Sequence, residues 1–372
     1  MFKTELYKII SRKITLICAV MIFLFMAFQV HISTVGDEAV ISGGRSYVRD
    51  AAIQKDKEIA APYQGALTME KVNDIWARYG KPVDHSREDP HVDLVKGTAD
   101  PGFEDNYCNR FVANHFFDQS DSSNGEIVYT PIGEERAAVY LDPDLYFTYA
   151  SGWSYYWDTF LTMFVLTGIL VIIGICPICS EEYALRTADV ILTTQKGRGR
   201  LFGVKTGAAL FFSGITYWCF MGVEFLMHAV AYGTEGLRCS TVFTNSFQFY
   251  GHMSVGGTIG IMLLCGWLVQ SALTVLVIAV SVRSRQTFTS VIWSLGAFLL
   301  PPAIVIIVLN QLRRTFVVRL LSFFLYSLPS MLFTARFLES PVNYRLVQAA
   351  VLVGVTGLAA VYAARRYCRH QV

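Results

Sequence analysis

The sequence predicts an all-α membrane protein with six transmembrane helices, an inserted α/β domain between the first two, and a re-entrant element between the last two. Three observations predict it. Hydrophobic residues make up 53% of the 372-residue chain and charged residues only 16%, against the roughly 25% charged of an ordinary soluble domain. Long apolar runs recur along the chain. Finally, charge is segregated: residues 31–152 carry 11 Lys and Arg against 21 Asp and Glu, whereas the remainder carries 20 against 8. The basic excess lies in short stretches beside the apolar runs, as the positive-inside rule expects. It forms no basic module interleaved with aromatics, so nucleic acid is excluded as a partner; membrane lipid is the expected one.

The elements follow in order. Lys3, Lys8, Arg12 and Lys13 precede the apolar run Ile14 to Val30, which at 1.5 Å per residue extends about 25 Å, enough for a first span. No small-x-small cleavage site follows, so residues 1–30 read as a cytoplasmic N-terminus and an uncleaved anchor. Residues 31–152 are acidic and turn-rich, with Gly43-Gly44 and Asp-Pro at 89, 100 and 142, and are assigned to an extracytoplasmic domain. One helix is delimited inside it: Thr68 as N-cap, apolar Met69, Val72, Ile75, Trp76 and Tyr79, and Gly80 with Pro82 as terminators.

Tyr146 to Trp157 are dense in aromatic rings, as expected where a chain enters the bilayer at headgroup level. The second span is assigned to 153–180, with its apolar part from Thr159 to Ile178. Residues 181–205 hold five basic side chains and are placed in the cytoplasm. The third span is 206–232, an outer loop covers 233–255, the fourth span is 256–281 and a short cytoplasmic loop is 282–287. The fifth span, 288–309, contains Pro301-Pro302, which removes two backbone donors and predicts a kink or break. Residues 310–345 are apolar yet carry Arg313, Arg314, Arg319 and Arg336. As a full span they would put the basic C-terminus outside; as a re-entrant or interfacial segment they leave six spans and both termini in the cytoplasm. The sixth span is 346–364 and the cytoplasmic tail 365–372.

Within 181–205, Glu181 and Glu182 are expected at the N-terminus of a short helix, where the macrodipole favours anions, with Lys196, Arg198 and Arg200 on its C-terminal side. Glu182 and Arg186 form an i, i+4 pair. Leu185, Ala188 and Ile191 or Leu192 recur at helical spacing, giving one apolar face that suits a groove on a partner. An ordinary membrane-surface helix is the alternative.

The order Glu182-Tyr183, Thr187, Val190-Ile191-Leu192, Thr193-Thr194, Lys196-Gly197-Arg198, Lys205 resembles the loop after the second span of ABC-2 type transporter permeases. Arg186 departs from it where glycine is common. The large first outer domain, with Leu67 to Lys71 and Tyr149 to Trp153, is similar to a Firmicutes-type exporter permease subgroup. The resemblance implies a permease subunit in a bacterial plasma membrane, with residues 181–200 acting as a coupling helix. It implies an ABC ATPase subunit and a second permease copy, in a homodimer or heterodimer, as partners. The chain has no Walker A motif, Gly203-Val204-Lys205-Thr206 lacking the spacing, so ATP and Mg would be bound by the ATPase and this chain needs no cofactor and is no enzyme. The implied cargo is amphiphilic: an antimicrobial peptide, a drug or a lipid-like molecule. A membrane sensor with an extracytoplasmic ligand-binding domain is the alternative.

Other constellations are weighed against plainer readings. Glu224 and His228 lie one helical turn apart in the third span and are candidate intramembrane functional residues. Counted from Lys205 they lie about 28 Å along the helix, at the outer interface, where a wet structural placement is the plainer alternative. Cys108 and Cys239 both fall in outer segments and are candidates for a disulfide. Cys176 and Cys179 have redox-pair spacing without a βαβ context. His85, Glu88, Asp89, His91 and Asp93 read as a solvated turn, so no metal site is assigned.

Overall fold

A computed structural model describes residues 1–80, 92–93, 98–99, 104–121, 127–185, 187, 199–244, 253–308, 315–326, 328 and 342–368. Among the described residues, five helices are long and apolar enough to cross a membrane: Lys13–Ile32, Ser151–Ala184, Gly199–Tyr232, Val255–Arg283 and Arg345–Cys368. Thr287–Ala303 is a shorter apolar helix. The chain is a multi-pass helical membrane protein, the architecture in which each span satisfies its own backbone hydrogen bonds where lipid offers none.

Chain contacts separate two compact units, one of residues 1–26, 160–223 and 262–372, the other of 27–159 and 224–261. In the first, the helices pack through Val171, Ile175, Phe212, Val277 and Phe298, all buried. Glycines allow close approach here: a Cβ at Gly266 would collide with the Tyr217 hydroxyl, which donates to the Leu263 carbonyl at 2.8 Å. An additional helix, Phe2–Ile10, was not anticipated from the sequence. It is amphipathic, and its Ile9 is buried in the same apolar cluster.

The Pro301-Pro302 pair does not break its helix. Helix Thr287–Ala303 runs through both prolines and then widens into the π-turn Ile304–Val308. The Ile304 N–H reaches the carbonyls of both Leu300 and Pro301. Two missing donors are thus absorbed as a change of winding, one of the recognised responses to proline in a helix. Of the segment expected to re-enter, helix Phe316–Tyr326 is described; at 11 residues it is too short for a span. Residues 310–314, 327 and 329–341 lie outside the described residues.

The second unit mixes helices and antiparallel strands. A four-stranded sheet has the order Ala39–Ser42, Arg45–Val48, Thr98–Ala99, Val92–Asp93. Its first hairpin pairs Ser42 with Arg45, and Gly43 and Gly44 turn the corner with φ of 61° and 75°, the double positive φ that a two-residue hairpin loop requires. A second ribbon pairs Phe117–Asp121 with Ile127–Pro131. The strands being antiparallel, the arrangement is α+β rather than wound α/β. Helix Met69–Tyr79 has the predicted limits: the Thr68 side chain accepts from the Lys71 N–H, and Gly80 ends it at φ 60°. Helix Tyr107–Phe116 opens with a capping box in which Asn106 and Asn109 bond each other's backbone N–H at 3.0 and 2.8 Å. The unit also takes in residues 224–261, beyond the 31–152 expected.

Candidate functional site

The most heavily charged buried site in the first unit centres on Lys205, near the start of helix Gly199–Tyr232 and 1% exposed. An ammonium out of water needs a partner for each of its three N–H groups. Lys205 Nζ donates to Glu182 Oε1 at 2.6 Å, to the Ile178 carbonyl at 2.7 Å and to Glu5 Oε2 at 3.3 Å. Glu5 also accepts from Lys8 at 2.7 Å. Burial works to raise the Glu5 pKa, but Lys8 and Lys205 together outweigh it, and the group lies below its ordinary value. Arg12 pairs with Glu181. Three chain segments therefore meet on one buried cation: the N-terminal helix, the residues that enter the 186–198 segment, and the helix that leaves it.

The geometry corrects the expected placement of the two glutamates. Pro177 occupies the first helical position of Pro177–Ala184, so Glu181 and Glu182 lie in its last turn rather than its first. That is the negative end of the helix dipole, unfavourable for carboxylates, and Arg12 and Lys205 supply the compensating charge. Thr187 follows the helix end, its N–H and hydroxyl both donating to the Glu182 carbonyl at 3.0 and 3.3 Å. Leu185 is 66% exposed, and Arg200 is exposed in the first turn of the next helix. Arg186, Ile191, Leu192, Thr193, Lys196 and Arg198 lie outside the described residues, and with them the predicted apolar face and the Glu182–Arg186 pair. The sequence marks Lys205 as a positive charge at a membrane edge and as the last residue of the permease-like loop pattern, and says nothing of its partners. Its partners stand 23 and 200 residues away, separations that no local pattern encodes.

In the second unit, Glu224 and His228 are both fully buried, so the wet placement expected for them does not hold. Trp153, Tyr156, Phe225 and Tyr232 surround the pair, the ring centroids of Tyr156 and Tyr232 lying 5.1 and 6.3 Å from that of His228. His228 Nδ1 is 3.1 Å from the Glu224 carbonyl; among the described residues His228 Nε2 has no hydrogen-bond partner, and the Glu224 carboxylate has Thr159 beside it. The hydroxyl of neighbouring Thr159 is directed to the Tyr156 carbonyl at 3.1 Å.

No family model, curated protein or solved structure matches this chain. Its function is therefore argued from its own residues.

The bridge considered between Cys108 and Cys239 is not formed: both are free, fully buried thiols. Burial pushes the Cys239 thiol up to about 12, which leaves no thiolate for exchange at neutral pH. Cys176 and Cys179 are also free and buried, the first directed to the Ser294 hydroxyl at 3.4 Å. His85, Glu88, Asp89 and His91 lie outside the described residues, and Asp93 is described only as part of a short strand. Among the described residues no group of three or more His, Cys, Asp or Glu could hold a metal ion.

Two apolar grooves complete the first unit. One, of about 570 Å³, lies among Leu273, Val277, Phe298, Pro301 and Val355; the other, of about 600 Å³, among Leu268, Ala272, Leu352 and Thr356. Both can accept hydrocarbon; the polar side chains at their walls are few, Arg283, Ser294 and Tyr362 in the first and Ser271 and Thr356 in the second.

Proposed function

We propose that this chain is the membrane-spanning permease subunit of an ATP-driven exporter of the ABC-2 type. It would work as a dimer with a separate cytoplasmic ATPase and carry an amphiphilic cargo out through a bacterial plasma membrane. The observation that carries this reading is the Lys205 cluster. It holds the residues entering the 186–198 segment and the helix leaving it on one buried charge, so a force applied to that segment is delivered to both flanking helices together. A coupling element needs this mechanical closure, because a loop tethered loosely at either end would absorb the motion of a partner instead of shifting a helix packing equilibrium.

In this reading residues 186–198 dock on the ATPase in the cytoplasm, and residues 31–152 are an extracytoplasmic domain. The resemblance of the 182–205 sequence to permease coupling loops supports it, as does the basic character of that loop. The test is whether a neighbouring open reading frame encodes a Walker A protein, whose absence counts against the reading, followed by co-expression of that ATPase with this chain. The pair is expected to co-purify in detergent, with ATP hydrolysis changed by the presence of this chain and abolished in the complex by deleting residues 188–197. Co-purification that survives the deletion with unaltered hydrolysis overturns the docking role. A second reading, a sensor without transport, is favoured by the polar pocket of the α+β unit described next; it predicts no ATPase partner.

A further inference from the structure

The second unit contains a cavity of about 290 Å³, near the lower end of the sizes that hold small ligands. Two helix faces build it. Tyr107, Arg110, Phe111, Asn114 and His115 from helix Tyr107–Phe116 recur at i, i+3, i+4, i+7 and i+8, and Ser151, Ser154, Tyr155 and Asp158 from helix Ser151–Ile175 recur at i, i+3, i+4 and i+7. Phe243 closes one side. Neither the transport reading nor the Lys205 cluster uses this site.

The polar lining is mixed: Asn114, whose Oδ1 accepts from Gln119 Nε2 at 3.0 Å, presents amide N–H donors, while four other groups present acceptors. The Ser151 hydroxyl proton is directed to Glu38 Oε1 at 3.3 Å and that of Ser154 to the Ala150 carbonyl at 3.3 Å, leaving oxygen lone pairs. His115 places Nδ1 2.9 Å from the Phe111 carbonyl, so Nδ1 carries the proton. Burial holds the His115 pKa below its ordinary value, so Nε2 is a lone pair. Asp158, which also has an interaction of its own within the fold, adds a carboxylate. Arg110 is the one cation of the lining, and its guanidinium is already committed: Nε lies 3.4 Å from Asp105 and Nη2 3.5 Å from Asp56, both carboxylates fully buried behind it. Tyr107, Phe111, Tyr155 and Phe243 supply aromatic walls, with Phe111 and Phe243 packed at 5.5 Å. Residues 31–152 carry 21 acidic against 11 basic side chains, a field that concentrates cations at such a cleft.

We propose that this cavity is a binding site for an organic cation, an ammonium head joined to an aromatic or apolar body. The head sits against Asp158 and the hydroxyl and imidazole lone pairs, and the body lies on the tyrosine and phenylalanine faces, where a cation also gains from the ring quadrupoles. An anion fits poorly, because the guanidinium that would receive it is neutralised from behind and Asp158 repels it.

The test uses the purified full chain in detergent, without any ATPase, so its outcome is independent of the transport reading. Phenethylammonium is titrated by calorimetry beside neutral 2-phenylethanol and anionic 3-phenylpropionate. Saturable binding of phenethylammonium is expected, at least tenfold tighter than either analogue. Asp158→Asn should weaken it about tenfold, equivalent to about 1.4 kcal/mol, and Tyr155→Ala at least threefold. Both side chains are exposed, so neither change removes core packing, and Asp118→Asn, outside the cavity, should leave binding unchanged. Equal or tighter binding of 3-phenylpropionate, an unchanged affinity in both cavity variants, or no saturable binding of phenethylammonium overturns the proposal.

Discussion

Replacing Lys205 by methionine tests the buried cluster most sharply. Methionine keeps the side chain's length and apolar stem but removes the charge and all three donors. Glu5 is 6% exposed and the Glu182 side chain 13%; Lys8, which remains beside Glu5, is half exposed and well screened. The variant therefore leaves one net negative charge buried and strips the Ile178 carbonyl of its side-chain donor. Breaking a buried pair from one side costs about 3–5 kcal/mol. Glu182→Gln removes the opposing charge but keeps an acceptor for Lys205, so it should cost less. In the double variant the orphaned carboxylate is gone at position 182, and its cost should fall short of the sum of the singles by about 1–3 kcal/mol. Denaturant unfolding in mixed micelles, followed by tryptophan fluorescence, measures all three. Lys8→Met serves as the exposed control, expected below about 1 kcal/mol. Strict additivity of the two changes, or a Lys205→Met cost no larger than the control, would refute the claim that one buried cation holds these segments.

Further predictions concern both units. Asp56 is fully buried, and burial, against the opposing pull of Arg110, raises its pKa from 3.8 to about 7. Between those values the folded chain keeps a proton that the unfolded chain releases, so stability falls as pH rises from about 4 to 7 and is level above; the full effect is at most about 4 kcal/mol. Asp56→Asn should flatten that slope in melts taken at pH 4.5 and 7.5, with Glu38, shifted in the same direction by burial, leaving a smaller residual. Thr68→Ala removes the cap on the Lys71 N–H and should cost about 1 kcal/mol in chemical denaturation, while Thr68→Ser should be nearly neutral. Gly266→Ala places a methyl on the Tyr217 hydroxyl; displacing that hydroxyl from the Leu263 carbonyl should destabilise the first unit by about 1–3 kcal/mol in the same assay.

The apolar runs located the membrane helices because a span is a local property: some twenty residues without charge suffice to specify it. The Thr68–Gly80 helix was legible for the same reason, its cap and its terminator both lying within the segment. Helix ends that depend on distant partners were not. Helix Gly199–Tyr232 begins seven residues before the expected position 206, and the pairing of its Lys205 with Glu5 and Glu182 is a tertiary fact. Pro177 is a local signal for this: proline favours the first position of a helix, which places Glu181 and Glu182 in a last turn. Helix Phe2–Ile10 is short, and its apolar positions Phe2, Leu6 and Ile9, at i, i+4 and i+7, are interrupted by Lys3 and Lys8, which the positive-inside rule already explains. The polar cavity was beyond reach, since its two helical faces are each ordinary and only their juxtaposition makes a site.

The central claim is that residues 186–198 receive work from a nucleotide-hydrolysing partner. A photo-crosslinking amino acid at position 195, in intact cells that co-express a candidate ABC ATPase subunit from the same genome, measures it directly. An adduct with that protein is predicted, in a yield that changes when the ATPase is trapped with nucleotide. A position 195 that yields no such adduct in either state, or that reacts with a membrane-impermeant reagent from outside the cell, contradicts the account.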